Sequence, residues 1–159
     1  MSADAGRLQD REDIRTLISR SVRSLNEGRF ADFIALFADG GHYVLEADSA
    51  EIGKTMIWLD LDRNELDALL EESPPHVHDL AARKHMVTVD EVDFAVDGTA
   101  VEALSSFSVF RTDIDGRTEV YAVGNYEDQL VGGEDGWRIA RRRVKVQTRM
   151  FRTPTPTPL

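Results

Sequence analysis

Apolar residues return at helical spacing along residues 10–27, where Ile14, Leu17, Ile18, Val22 and Leu25 share one face. Asp10 suits the N-cap of that helix, and Gly28 the position just past its end. Phe30, Phe33, Ile34 and Phe37 form a second, shorter stripe, which Asp39-Gly40-Gly41 should stop. Residues 42–47 predict a short strand, and MIWLD at 56–60 a strand or a turn. Asp62 and Glu65 stand three apart, the spacing of a reciprocal cap. They open a third helix that buries Leu66, Leu69 and Leu70, and Ser73-Pro74-Pro75 should end it.

From residue 84 the period falls to two. Runs over 84–96, 99–112, 117–131 and 137–150 are separated by glycine turns at Asp97-Gly98, 113–116 and 132–136. Strands joined this tightly make an antiparallel meander. Helices first and sheet second define an α+β domain, with the helices on one face. The runs exceed the usual strand of about 5–6 residues, so the sheet must curve. Parity slips say where. Trp137 and Ile139 are odd, whereas Val144, Val146 and Met150 are even, which calls for a β-bulge between Ala140 and Arg143. Val87 and Val89 against Val92, Phe94 and Val96 call for another near Asp90-Glu91. Such a sheet, bent round helices, is a cone with an apolar pocket at its open end.

Composition narrows the role. At 159 residues the chain is long enough for one core, expected over 1–152, with an extended proline-rich tail, TPTPTPL, at 153–159. A net charge of -10 argues against nucleic acid and against an anionic membrane surface. No signal pattern and no span-length apolar run stand in the sequence, so a cytoplasmic protein is expected. With no cysteine the chain supplies no thiolate to an iron–sulfur cluster and no cysteine nucleophile. G-x-G-x-x-G, Walker A and G-x-S-x-G motifs are absent.

EGRFADFIALFADGGHYV (27–44) resembles the helix-helix-strand opening of the NTF2-like (SnoaL-like) superfamily, the cystatin-type α+β roll. MIWLDLDRNELDALLEE, ARKHMV and TEVYAVGNYEDQLV…GWRIARRRV together resemble one branch of it, the small (β) subunit of aromatic-ring-hydroxylating dioxygenases. The resemblance spans about residues 10–150, and the TPTPTPL ending departs from the apolar C-terminus frequent in that branch. It implies a mostly antiparallel, cone-forming sheet. It also implies an α3β3 oxygenase of aromatic catabolism whose large α subunit carries a Rieske [2Fe–2S] cluster and a mononuclear iron. The β subunit holds no cofactor and no metal and is structural.

Seven of the 19 basic residues fall between Arg138 and Arg152. The plainer account is cross-strand pairing of Arg141, Arg143 and Lys145 with Glu119, Glu127 and Asp128. The sharper one is docking of an acidic partner patch, with Arg141, Arg143, Lys145, Arg149, His76 and His78 as interface candidates. His76 and His78 have metal-like HxH spacing, but the preceding prolines favour a loop or interface role. In stand-alone members of the superfamily a carboxylate or histidine inside the cone acts as general base. The candidates here are Asp32, His42, Tyr43 and His85, with a structural role for polar groups at the cone mouth as the alternative. Phe30, Phe33, Phe37, Phe94, Phe107, Trp58 and Trp137 read as core, and rings filling the cone would leave no room for substrate. Two functions therefore stand. The first is a non-catalytic β subunit bound to an α subunit. The second is a free-standing isomerase, dehydratase, cyclase or small-ligand binder, self-associating as a dimer or trimer.

Overall fold

A computed structural model describes residues 3–76, 79–151 and 157–159. Among them run three helices, α1 (Ala3–Asn26), α2 (Phe30–Ala35) and α3 (Arg63–His76). Six strands follow or interleave: β1 (Phe37–Ser49), β2 (Lys54–Asp62), β3 (Ala82–Phe94), β4 (Ala100–Thr112), β5 (Thr118–Gly133) and β6 (Gly136–Val146). They form one open sheet in the order β2-β1-β6-β5-β4-β3. All neighbours are antiparallel except β1 and β6, which run parallel.

The amphipathic pattern explains the packing. Ile14 and Ile18 of α1, Phe33 of α2 and Leu66 of α3 are fully enclosed against the inner sheet face. That face carries Val101, Ala103, Phe107 and Val109 of β4, Tyr126 and Leu130 of β5, and Ile139, Val144 and Val146 of β6. Phe107 stacks on Tyr126 with ring centroids 4.4 Å apart, and Phe33 meets Phe37 edge-on at 5.3 Å.

Helix ends follow the local chemistry. Gly28 takes φ +67, and the Gly28 and Arg29 N–H groups donate to the Leu25 and Ser24 carbonyls, a Schellman close. Asp62 and Glu65 form the reciprocal cap of α3, each backbone N–H donating to the other's carboxylate at 2.8 and 2.9 Å.

The two parity slips mark real bulges. Ala140 is the extra residue between Ile139 and Arg141 where β6 faces β5, and Asp90 is the extra residue of β3 against β4. Two more occur, at Tyr121 of β5 and Trp58 of β2. Each sharpens the local twist and bends the sheet round the helices.

Other expectations need correction. Helix α1 begins at Ala3, well before Asp10, so Gly6 does not stop it; the Asp10 carboxylate instead accepts from Trp137 Nε1 at 3.2 Å. Phe37 is the first residue of β1, not the last of a helix. Asp39-Gly40-Gly41 lies inside that strand as an irregularity in its pairing with β6, with Gly40 at φ +69. MIWLD is strand, within β2. Helix α3 continues through the prolines to His76, and β6 stops at Val146 rather than 150. Phe30, Trp58, Phe94 and Trp137 are only partly buried, and Leu69 of α3 is exposed rather than buried.

Candidate functional site

After the Ala140 bulge, Arg142 shares parity with Val144 and Val146 and so turns into the cone. Its guanidinium is fully buried. Nε and Nη2 donate to the two carboxylate oxygens of Asp128 at 2.8 and 2.7 Å, and Nη1 donates to Ser21 Oγ of α1 at 2.8 Å. The Tyr126 ring lies under the guanidinium, 4.3 Å from its carbon. Burial pushes Arg142 down, and Asp128 more than offsets it, so the group stays above its ordinary range. A bidentate, stacked and fully enclosed pair of this kind joins α1 to β5 and β6 and has no free face for a substrate.

Above it sit His85 of β3 and Tyr43 of β1, drawn from strands near opposite ends of the sheet order. Asn26, in the last turn of α1, fixes His85. The Asn26 amide donates to the His85 carbonyl at 3.0 Å, and its Oδ1 accepts from the His85 backbone N–H at 2.6 Å. Oδ1 also lies 2.9 Å from His85 Nδ1, while Nε2 lies 3.3 Å from the Pro158 carbonyl. Burial lowers the His85 pKa to about 4; the Pro158 carbonyl opposes that, and the Arg83 and Arg142 charges add to it. The neutral imidazole therefore dominates at pH 7. Tyr43 is fully enclosed, and its hydroxyl accepts from the Leu159 N–H at 3.1 Å and donates to the Leu159 carbonyl at 3.3 Å. Burial raises its pKa. Leu159, 1% exposed, belongs to the core cluster. The mouth of the cone is thus filled by the chain's own residues 158 and 159.

Of the four cavity candidates, only Tyr43 and His85 are buried, and they touch adjacent residues of the C-terminal segment, Leu159 and Pro158. His42 points to the opposite face of β1, half exposed, 3.5 Å from Asp60. Asp32 lies on the surface in an ion pair with Arg29. The basic stripe divides between the two faces. Arg143 and Lys145 reach Glu127 at 3.7 and 3.3 Å on the outer face, and Arg143 also reaches Glu46 at 3.6 Å. Glu119 pairs with Arg111 and Asp128 with Arg142, so neither serves the outer stripe as expected. Arg141 makes no ion pair among the described residues. With Arg143 it lines one wall of an outer groove of about 410 Å³, opposite Glu91, Asp93 and Glu102. Arg149 pairs with Glu51 of the β1–β2 turn at 3.1 Å. His76 closes α3, but its side chain lies outside the described residues, as does all of His78.

Residues 6–143 match the family model of the SnoaL-like domain. The chain is 30% identical over 134 residues to the β subunit of the methanesulfonate monooxygenase hydroxylase of Methylosulfonomonas methylovora, covering 79% of this chain and 74% of that one. It is 21% identical over 150 residues to the β subunit of 2-aminobenzenesulfonate 2,3-dioxygenase from an Alcaligenes species, covering 94% and 99%. Among solved structures, a Novosphingobium aromaticivorans protein assigned as an aromatic-ring-hydroxylating dioxygenase β subunit superposes with a TM-score of 0.76 at 19% identity, covering 92% of this chain and 94% of that one. A protein of the same organism assigned as a scytalone dehydratase superposes at 0.67 and 17% identity, covering 96% and 95%. The fold alone therefore does not separate subunits from stand-alone enzymes. This chain belongs to the SnoaL-like (NTF2-like) family, in the branch that contains the β subunits of ring-hydroxylating oxygenases.

No helix among the described residues is long and apolar enough to cross a membrane. The donors of a Rieske cluster do not fit this chain, which has no cysteine, and no three His, Asp or Glu side chains converge among the described residues.

Proposed function

We propose that this chain is the structural, non-catalytic β subunit of the terminal oxygenase component of a ring-hydroxylating oxygenase. It assembles with an iron-carrying α subunit into an α3β3 hexamer in the cytoplasm and serves the catabolism of aromatic compounds. The Rieske cluster and the mononuclear iron belong to that partner. Both curated relatives are named for sulfonates, so a sulfonated substrate is the first to offer the assembled enzyme.

One observation carries the reading. The two buried acid–base candidates, Tyr43 and His85, are engaged by Leu159 and Pro158, and the Arg142–Asp128 pair near them is closed. General acid–base work needs a group within hydrogen-bond reach of a substrate proton, and here main chain occupies that reach. The outer stripe supports a docking role, since Arg141 presents a guanidinium to an open groove.

The test is to produce the α subunit with and without this chain and compare hexamer content by mass and turnover with a sulfonated aromatic. The expected result is loss of both hexamer and turnover without the β subunit. Full turnover from an α subunit that assembles alone would reject the structural role. Turnover of a small enol or hydroxyl substrate by the isolated chain would favour a stand-alone isomerase or dehydratase.

A further inference from the structure

We infer that the cone mouth is a binding site for a Pro-Leu peptide segment, and that residues 157–159 of this same chain are its resident occupant. Three observations meet there. A branched apolar side chain, Leu159, is buried in the core although the stretch around it, 153–158, alternates Thr and Pro. Its N–H and its carbonyl are both met by one hydroxyl, Tyr43 Oη, at 3.1 and 3.3 Å. The carbonyl before it faces His85 Nε2 at 3.3 Å. A side-chain pocket and three main-chain contacts are what a peptide site consists of.

The receptor half does not depend on the tail. Tyr43 stands on β1, enclosed between β2 and β6, and His85 is pinned to α1 by Asn26. The ligand half is stiffened by Pro158, whose ring fixes its own φ and reduces the freedom lost on docking. A short tether supplies an effective concentration of the order of millimolar, so a segment that binds only weakly in trans stays seated when attached. The neutral His85 donates to one of its two flanking oxygens, Asn26 Oδ1 or the Pro158 carbonyl, and not to both. The contact is therefore firm enough to close the chamber and weak enough to exchange.

This inference rests on the scaffold reading, because it names what keeps the cone shut. It is tested on the isolated chain, so it can fail while hexamer assembly holds. In the full chain, the Leu159 amide should exchange with deuterium about 2- to 10-fold more slowly than in the free peptide N-acetyl-Thr-Pro-Leu, the protection that a ~millimolar effective concentration gives over a Kd of about 0.1–1 mM. A chain ending at Pro156 should melt several degrees lower and recover that loss when the free peptide is added, with a Kd of about 0.1–1 mM. Tyr43→Phe in the shortened chain should weaken peptide binding about fivefold. Exchange of the Leu159 amide at the free-peptide rate would overturn the inference, whether or not the shortened chain folds. A dimer that disappears on removal of residues 157–159 would assign the occupant to a second copy and overturn the intrachain plug.

Discussion

Removing one partner of the Arg142–Asp128 pair should cost far more than removing both. Asp128→Ala leaves a guanidinium with no exposure, two N–H donors without acceptors and a charge without a counter-charge. Breaking a buried pair from one side costs about 3–5 kcal/mol, a fifth or more of the roughly 5–15 kcal/mol that holds a domain folded. With a urea dependence near ~2 kcal/mol per molar, the unfolding midpoint should fall by about 2 M. The double variant Arg142→Met with Asp128→Leu removes both charges and keeps apolar volume on Tyr126. It should lie within about 1–2 kcal/mol of the parent, on either side. Ser21 loses its Arg142 contact in that variant but still donates to the Ile18 carbonyl at 2.6 Å, so it is not left unsatisfied. Urea unfolding followed by far-ultraviolet circular dichroism measures all three proteins. If the double variant is as unstable as Asp128→Ala, the cost comes from lost attraction rather than from a stranded charge, and the reasoning is wrong.

His85 should make the fold acid-sensitive. Its folded pKa of about 4 lies below the unfolded value of 6.5, so the unfolded chain binds the extra proton first; stability is complete above pH 6.5 and is lost as pH falls towards 4. The loss approaches about 3 kcal/mol, and His85→Gln should flatten that part of a pH-stability curve. A variant with the parent's slope over pH 4–6.5 would assign the sensitivity to other groups. Gly124→Ala should fail badly, because an added Cβ would stand 2.2 Å from the Lys145 carbonyl and 3.0 Å from Phe107. A melting temperature within two degrees of the parent, against an expected fall of more than five, would contradict that close approach of β5 to β6.

Much of the architecture was readable because burial imposes parity. The Ala140 and Asp90 bulges showed as slips between odd and even apolar residues. The Trp58 and Tyr121 bulges did not, since MIWL and VYAV are apolar on both faces and a slip leaves no mark. Arg142 was legible in principle. Once the bulge is placed, it shares parity with Val144 and Val146, and Asp128 shares parity with Tyr126 and Leu130. Cross-strand pairing and docking of the basic stripe both rest on Arg141, Arg143 and Lys145 and pass over Arg142, the one that turns inward. The seating of Leu159 on Tyr43 joins residues 116 positions apart, and no local period encodes such a contact.

The parallel seam between β1 and β6 governs when this molecule can be completed. Every other strand pair joins neighbours in sequence, but β1 and β2 reach the rest of the sheet only through the last strand made. During synthesis the β1–β2 hairpin must wait, unzipped from the meander, until residues through Val146 have left the ribosome, although α1 can already dock on β3. Long waits of that kind slow folding and leave strand edges bare, so a newly made chain is most exposed to aggregation just before its final strand arrives.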